Sequence, residues 1–293
     1  MKIGIAGTGR MGAAIGGRLL GLGHEVTVWN RTAEKTQPLA AAGATVASTA
    51  RDLAQRSEAI VTILTDAAAI DAIYGGADGL LAGEARDKLF IEMSTVRPGI
   101  EAALANKVRA KGAALVDCPV GGSVGPAKEG KLFGFVGGDA GDVARARPIL
   151  EQLCRRVEHV GPVGAGARMK LAINLPLLVY WEALAEALAL CAPLGLDPAR
   201  VIDILADTSG GPNVLKNRGS ALAAAMQGKE PSPVTVDVET MRKDLRTMVE
   251  EAHASGFDLP ATARVLDCYN EVVAAGKGRR DITTFATRKM GSG

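Results

Sequence analysis

The first 160 residues alternate short apolar runs with segments whose apolar residues recur at helical spacing. Short apolar runs between turn residues are typical of strands buried on both faces of a parallel sheet. The predicted strands are Ile3–Ala6, Val26–Trp29, Ala59–Leu64, Leu89–Met93 and Leu115–Asp117, with two further short strands at Leu132–Val136 and Val157–Val160. The predicted helices between them are Met11–Leu20, Ala33–Ala42, Ala67–Tyr74 and Gly99–Ala110. The alternation predicts a parallel sheet with helices on both faces.

The pattern changes after Gly164, where no further strands are predicted. Residues 166–192 can form one long helix that is apolar all round, as expected of a helix buried between other elements. Further helices are predicted at Pro198–Ala206, Val214–Ala225, Thr240–Ser255 and Ala261–Ala275. The glycine-rich stretch Gly161–Gly166 is the predicted boundary. We therefore expect an α/β domain over residues 1–163 and an all-helical domain over 164–293, joined by the long interdomain helix.

Composition and charge narrow the class of protein. Hydrophobic residues make up 47% of the chain, and the formal charge of +2 comes from 34 basic and 32 acidic residues without a basic block. A nucleic-acid partner is therefore not expected. The cysteines lie far apart without a CxxC pair, which predicts reduced thiols and no metal site. They are Cys118, Cys154, Cys191 and Cys268.

The sequence also predicts a soluble, cytoplasmic protein without a membrane segment. Glycines interrupt the apolar stretch at the N-terminus, which is unlike a signal peptide. The longest apolar run, from Leu171 to Leu190, contains Glu182 and Glu186. Two carboxylates would be costly in the centre of a bilayer.

A glycine motif follows the first predicted strand, where the first helix begins. The residues Gly7-Thr8-Gly9-Arg10-Met11-Gly12 form a GxGxxG pattern. The first glycine permits a tight turn, the second lets the backbone approach a pyrophosphate, and the third lets the helix pack on the sheet. The helix N-terminus then faces the phosphates. This predicts a Rossmann-type, doubly wound domain that binds a dinucleotide.

The end of the second predicted strand indicates which dinucleotide binds. NAD-selective enzymes place a carboxylate here for the ribose hydroxyls, whereas an arginine can hold a 2′-phosphate. This chain has Asn30, Arg31 and Thr32 instead of a carboxylate. Because a guanidinium binds phosphate bidentately, the predicted cofactor is NADP(H).

Lys170, at the start of the long apolar helix, is the candidate for proton exchange. A nicotinamide enzyme that acts on an alcohol or carbonyl needs a group that exchanges a proton with that oxygen. None of the three histidines lies in a recognisable motif. Asn174 follows Lys170 by four residues and shares its helix face. By spacing alone, a solvated first helical turn explains this pair equally well.

Four motifs in this order resemble the β-hydroxyacid dehydrogenases. This family contains 3-hydroxyisobutyrate dehydrogenase, tartronate semialdehyde reductase and glyoxylate/succinic semialdehyde reductase. The resemblance covers essentially the whole chain. The motifs are Ile3–Gly12, Asp117–Ser123 with the following Gly130-Lys131-Leu132, Gly164–Asn174, and Lys243-Asp244-Leu245.

The resemblance implies a role for particular positions. Lys170 is similar to the family's catalytic lysine, and Asn174 to its substrate-orienting asparagine. The Gly121-Gly122-Ser123 turn would hold the substrate carboxylate, partly through backbone N–H groups. The cofactor would contact Thr95 near the nicotinamide, Leu64 and Thr65 on its other side, and Lys243 from the helical domain. For Lys243 and Asp244, a surface ion pair is the alternative. Homodimers or homotetramers are also implied.

One departure from the family pattern concerns the substrate turn. The family usually reads Pro-Val-Ser-Gly-Gly, whereas this chain reads Pro-Val-Gly-Gly-Ser. Gly121 therefore stands in the usual serine position, and Ser123 lies two places later. A change in a polar group that lines a site can alter discrimination between substrates strongly. The substrate turn of a sulfolactaldehyde-reducing branch resembles this one in having glycine after Pro-Val.

The leading hypothesis is an NADP(H)-dependent oxidoreductase that interconverts a small carboxylate-bearing aldehyde and its hydroxy acid. Lys170 would donate or accept the proton. One alternative is an imine reductase of related fold, although those proteins generally lack a lysine at this position. Another is a catalytically idle NADP-binding module, which would not need to retain Lys170, Asn174 and Lys243.

Overall fold

The computed structural model describes residues 1–290. The chain divides into two compact units, Met1–Leu171 and Ala172–Gly293. The division falls inside the helix Ala165–Cys191, so the first turns of this helix belong to the first unit. Lys170 therefore belongs to the first unit and Asn174 to the second.

The first unit is built from nine strands with helices between them. The strands are β1 (Lys2–Ala6), β2 (Glu25–Trp29), β3 (Thr45–Val46), β4 (Ala59–Thr62), β5 (Leu89–Glu92), β6 (Ala114–Asp117), β7 (Val120–Gly121), β8 (Leu132–Gly137) and β9 (Cys154–Gly161). The helices are α1 (Arg10–Gly21), α2 (Gln37–Ala41), α3 (Ala50–Arg56), α4 (Ala67–Tyr74), α5 (Pro98–Arg109), α6 (Val124–Glu129) and α7 (Ala140–Leu153), followed by the start of α8 (Ala165–Cys191).

The strand order explains where a ligand can bind. Six parallel strands lie in the order β3-β2-β1-β4-β5-β6. Strands β8 and β7 extend the sheet in antiparallel pairings, and β9 pairs with β8. The direction in which successive strands are added to the sheet reverses between β1 and β4. Ligands of such folds bind beyond the carboxyl ends of the strands at this point. The turns there contain Gly7 and Leu64.

The burial of the strands explains why their sequences are apolar. Strands β4, β5 and β6 are buried at every position, as expected for parallel strands covered on both faces. Helix α1 buries Ala14, Ile15 and Leu19 in the core that it shares with β1. The predicted α/β class with a Rossmann-type sheet is thus confirmed.

Several short elements differ from the prediction. The predicted helix Ala33–Ala42 is a 3-10 turn, Ala33–Thr36, followed by α2. Pro38 lies in the first turn of α2, because a proline without an N–H starts a helix more easily than it continues one. Strands β3 and β7 each have two residues, too few for a visible alternation. Helices α3, α6 and α7 were also not predicted.

The second unit is helical throughout its described part. After α8 come α9 (Pro198–Ala206), α10 (Asn213–Met226), α11 (Val238–Ala254), α12 (Pro260–Val272) and α13 (Ile282–Thr287). Its core contains Trp181, Tyr269 and Phe285, and the last two rings stack with their centroids 3.9 Å apart. All five helices predicted here are confirmed: Pro198–Ala206 has the predicted ends, and the ends of the other four are shifted by one to three residues. Asp197 caps α9 by accepting from the Arg200 backbone N–H at 3.1 Å.

Within the described residues, one helix, Ala165–Leu194, is long and apolar enough to cross a membrane by length and composition. Core helices of soluble proteins have the same composition. Glu182 on this helix is buried in the second unit, where it forms ion pairs with Arg288 and Lys289. A buried carboxylate with two cations is typical of a folded helical interior.

Candidate active site

The glycine turn between β1 and α1 leaves room for a phosphate group. A Cβ atom built on Gly7 would lie 2.4 Å from the Ile63 backbone oxygen, and one on Gly12 would lie 1.9 Å from the Gly7 oxygen. Gly9, in contrast, has no atom within 4 Å of such a Cβ. Gly7 has φ +96°, so these two glycines shape the turn and Gly9 borders open space.

No side chain caps the start of α1. Gly9 is the N-cap residue and supplies no side chain, and the first turn carries no acidic residue. The Thr8 hydroxyl beside it is buried without a hydrogen-bond partner. The N–H groups in the first turn of a helix and the positive end of its dipole favour an anion. The turn therefore fits the pyrophosphate of a dinucleotide.

Asn30 supports this turn from the end of β2. Its side-chain oxygen accepts a hydrogen bond from the Thr8 backbone N–H at 3.0 Å, and its amide donates to the Thr32 carbonyl at 2.9 Å. The Asn30 side chain thus makes hydrogen bonds within the protein. Arg31 and Thr32 are exposed at the end of the strand.

The loops after β4 and β5 are joined through Ser94. The Ser94 hydroxyl accepts from the Leu64 backbone N–H at 2.8 Å and donates to the Glu92 carboxylate. Thr62 also donates to Glu92. Leu64 lies against Gly7, with its Cδ2 atom 3.0 Å from a Cβ built there. Leu64 and the Ser94-Thr95 loop are therefore held at the same edge as the glycine turn.

Three fully buried carboxyl groups lie behind this edge, and sequence reasoning did not single them out. They are Glu92 on β5, Glu101 on α5 and Asp117 on β6. Burial raises the pKa of Glu92 to about 7, against the lowering effect of its hydrogen bonds from Ser94 and Thr62. Burial and the charges of Glu92 and Asp117 raise the pKa of Glu101 well above its usual value. Neither Glu101 oxygen has a hydrogen-bond partner. Its surroundings therefore favour the neutral, protonated form of Glu101.

Asp117 connects the sheet to the start of α8. Its Oδ1 atom accepts from the Gly164 backbone N–H at 2.7 Å, and its Oδ2 atom accepts from the Ala167 N–H at 2.8 Å. Burial raises the pKa of Asp117 to about 6, although these backbone hydrogen bonds favour the carboxylate. Lys170 follows Ala167 by three residues and is half-buried.

The Gly121-Gly122-Ser123 turn lies between β7 and α6, and α6 packs against α1. Gly122 has φ +123°, and a Cβ there would lie 2.8 Å from Leu132 Cδ2. A Cβ on Gly121 would lie 3.6 Å or more from its nearest neighbours, which is ordinary contact. Ser123 is exposed at the N-cap of α6. Gly122 is therefore required by the backbone, whereas Gly121 is not.

The second unit brings together three of the remaining predicted residues. The Asn174 amide donates to Asp244 Oδ2 at 3.4 Å, and Lys243 Nζ lies 2.6 Å from Asp244 Oδ1. The Lys243 and Asp244 side chains are only 19% and 12% exposed. This is a half-buried cluster, unlike the exposed ion pair that was the alternative interpretation.

The first unit has polar side chains at the carboxyl ends of its parallel strands and a glycine turn that fits a phosphate. These two features define it as a dinucleotide-binding domain. Two family models match the chain. The model of the NAD binding domain of 6-phosphogluconate dehydrogenase matches residues 2–161, and a model described as NAD-binding of NADP-dependent 3-hydroxyisobutyrate dehydrogenase matches residues 164–288.

Individual relatives agree with these models. The chain is 38% identical to 3-hydroxyisobutyrate dehydrogenase of Pseudomonas aeruginosa over 71% of this chain and 70% of that protein. It is 32% identical to the NAD-dependent L-serine dehydrogenase of the same organism over 96% and 95%. The solved structure of Mycobacterium tuberculosis 3-hydroxyisobutyrate dehydrogenase with L-serine has a TM-score of 0.84 at 27% identity, covering 98% of each chain. The chain belongs to the β-hydroxyacid dehydrogenase family of NAD(P)-dependent oxidoreductases.

Proposed function

We propose that this protein interconverts a small carboxylate-bearing aldehyde and its hydroxy acid with NADP(H), and that Lys170 donates or accepts the proton. The position of Lys170 is the observation that carries the proposal. It lies in the first turns of α8, which Asp117 holds to the end of β6 at the ligand-binding edge of the sheet. A lysine there can exchange a proton with a substrate oxygen.

The other predicted residues have roles that follow from their positions. Residues 1–163 would bind the cofactor and 164–293 would complete the substrate site. The glycine turn would hold the pyrophosphate, with Leu64, Thr65 and Thr95 beside the nicotinamide. When bound, the nicotinamide would supply or accept the hydride. Gly121, Gly122 and Ser123 would hold the substrate carboxylate, and Asn174 would orient the substrate.

The Lys243–Asp244 pair lies beside Asn174 in the second unit. Asp244 accepts from Asn174 and contacts Lys243, so it fixes the amide that we assign to the substrate. A half-buried cation also attracts an anionic cofactor or substrate. This arrangement favours Lys243 as a cofactor contact.

A cofactor-consumption screen tests the proposal. NADPH and NADH are each paired with glyoxylate, succinic semialdehyde, methylmalonate semialdehyde, tartronate semialdehyde and sulfolactaldehyde, and L-serine is tested in the oxidative direction. We expect NADPH turnover with at least one acidic aldehyde. A cyclic imine is included as a further substrate, and its turnover without turnover of any aldehyde would favour an imine reductase. Tight NADPH binding without any turnover would favour an idle cofactor-binding module.

Cofactor selection gives a first prediction. Arg31→Glu should lower kcat/KM with NADPH by about 10- to 100-fold, because one bidentate phosphate contact is lost and a repulsive charge is added. The value with NADH should change much less, since NADH lacks the 2′-phosphate. The measurement is a steady-state comparison of both cofactors. Arg86→Glu, at another exposed arginine, is the matched control. Equal losses with both cofactors would contradict the assignment of Arg31.

The substrate turn gives a second prediction. Gly121→Ser should fold with a free energy of unfolding within about 0.5 kcal/mol of the wild type, because a Cβ there meets only ordinary contacts. It should change the relative kcat/KM among acidic aldehydes by about tenfold or more, since a new hydroxyl can hydrogen-bond the substrate. Gly122→Ser, one residue later, should instead be strongly destabilising. An unchanged substrate ranking in Gly121→Ser would place the substrate elsewhere.

We also propose that the protein self-associates as a homodimer or homotetramer in the cytoplasm. Leu190 and Leu194, on and just after α8, are 81% and 63% exposed, and Ile204 on α9 is 46% exposed. Large apolar side chains that are exposed on these consecutive helices favour burial against another molecule. A mass in solution equal to that of the 30.2 kDa monomer would contradict this proposal.

A further inference from the structure

The carboxylate of Asp117 occupies a slot that two glycines leave open. A Cβ on Gly137 would lie 2.4 Å from Asp117 Oδ1, and one on Gly166 would lie 2.8 Å from Oδ2 and 2.3 Å from the Phe135 backbone oxygen. Any other residue at these positions would push the carboxylate away from α8. The packing at the end of β6 is therefore built around this one side chain.

Asp117 acts as an N-cap supplied from a distant strand. Its two oxygens accept from Gly164, just before α8, and from Ala167 in the first turn. Sequence separations of 47 and 50 residues make these hydrogen bonds a tertiary link. With a rise of about 1.5 Å per residue, Lys170 lies only about 4.5 Å further along the helix axis than Ala167. The position of the Lys170 backbone thus depends directly on this link.

We propose that Asp117 is the positioning residue for Lys170, because its carboxylate fixes the first turn of the helix that carries the lysine. The inference rests on the proposed function, in which Lys170 exchanges the proton. A negative charge at a helix N-terminus stabilises that end of the helix. Asp117 does not contact the reacting atoms in this arrangement and acts only through the helix.

The surroundings of Asp117 make this link sensitive to pH. The acidic groups that interact with it include Glu92 from β5, Glu101 from α5 and the adjacent Cys118 thiol, and Glu92 in turn interacts with Tyr74 of α4. Burial raises the pKa of Asp117 to about 6. A protonated carboxyl must turn one oxygen into a donor, which conflicts with the N–H groups that face it. Lowering the pH through about 6 should therefore weaken the link and reduce kcat.

Asp117→Asn tests the inference with little change in size. The amide nitrogen would face a backbone N–H, so one of the two hydrogen bonds is lost. We expect kcat to fall about 10²-fold through misplacement of Lys170, with NADPH affinity unchanged. We also expect the fall in kcat around pH 6 to become smaller, since Asp117 no longer titrates and only Glu92, with a pKa of about 7, still does in this range. Asp197→Asn, which alters the exposed cap of α9, should change neither.

A double variant separates this inference from the proposed function. If Asp117 acts through Lys170, Lys170→Ala/Asp117→Asn should be no slower than Lys170→Ala alone. Full activity in Asp117→Asn, or losses that multiply in the double variant, would overturn the positioning role while leaving the lysine assignment intact. Full activity in Lys170→Ala would instead overturn the proposed function.

If Asp117→Asn does not fold, the pH dependence of kcat in the wild-type protein tests the inference instead. At saturating cofactor and substrate, kcat for the reduction should fall as the pH is lowered through about 6. A flat kcat over about one pH unit on either side of this value would contradict the inference.

Discussion

Lys170→Ala should lower kcat for aldehyde reduction by about 10³-fold, the middle of the range for loss of a general acid. Lys170 lies in the turns of α8 that Asp117 links to β6, so the substrate oxygen would lose its proton donor. NADPH affinity should be unchanged, because Lys170 is not among the proposed cofactor contacts. The measurements are steady-state NADPH consumption, with the aldehyde that the screen identifies, and direct NADPH titration.

Two further variants make this expectation specific. Lys170→Arg keeps the positive charge, yet a guanidinium does not release its proton near neutral pH. We therefore expect Lys170→Arg to bind substrate and still turn over slowly. Lys111→Ala, at an exposed lysine, should keep full activity. Undiminished turnover in Lys170→Ala would remove the lysine from the reaction, and a loss confined to KM would make it a binding residue.

The fold was predictable because its signals are local. Continuous apolar runs predicted the parallel strands, which are buried on both faces, and the glycine spacing predicted the turn after β1. The long helix was predicted to within one residue at each end, because a continuous apolar segment of this length has few alternatives. Elements of two residues, such as β3 and β7, carry too little pattern to be seen.

The buried carboxyl groups could not be predicted in the same way. Glu101 lies in an amphipathic helix, where a glutamate is expected on the solvent-exposed face. Its carboxyl group is nevertheless fully buried. Asp117 ends a buried strand, which hints at the ligand-binding edge of the sheet. Its partners, however, lie some fifty residues further along the chain, and spacing does not reveal them. A tertiary hydrogen bond of this kind needs the coordinates.

Asn30 illustrates a different limit of sequence reasoning. Its position at the end of β2 pointed to the cofactor ribose, and it does lie at the dinucleotide-binding edge. Its amide, however, bonds the Thr8 N–H and the Thr32 carbonyl. The residue type was informative only in lacking a carboxylate. We therefore assign cofactor selection to Arg31.

Gly12→Ala should lose stability, whereas Gly9→Ala should lose NADPH binding, although both variants remove a glycine from the same turn. A Cβ on Gly12 would lie 1.9 Å from the Gly7 carbonyl oxygen, so α1 cannot keep its place on the sheet. We expect a loss of about 3 kcal/mol or more in the free energy of unfolding, at the upper end of overpacking costs. The measurement is denaturant unfolding without cofactor.

Gly9→Ala has no such conflict, because nothing lies within 4 Å of its Cβ. Its stability should stay within about 0.5 kcal/mol of the wild type. The added methyl group would occupy the space assigned to the pyrophosphate, and losing a charge-assisted contact there should weaken NADPH binding by about 10²-fold. Gly17→Ala, on the exposed side of α1, should change neither property. If Gly9→Ala bound NADPH normally, the pyrophosphate would not lie at this turn, and the N-terminus of α1 would lose its proposed ligand.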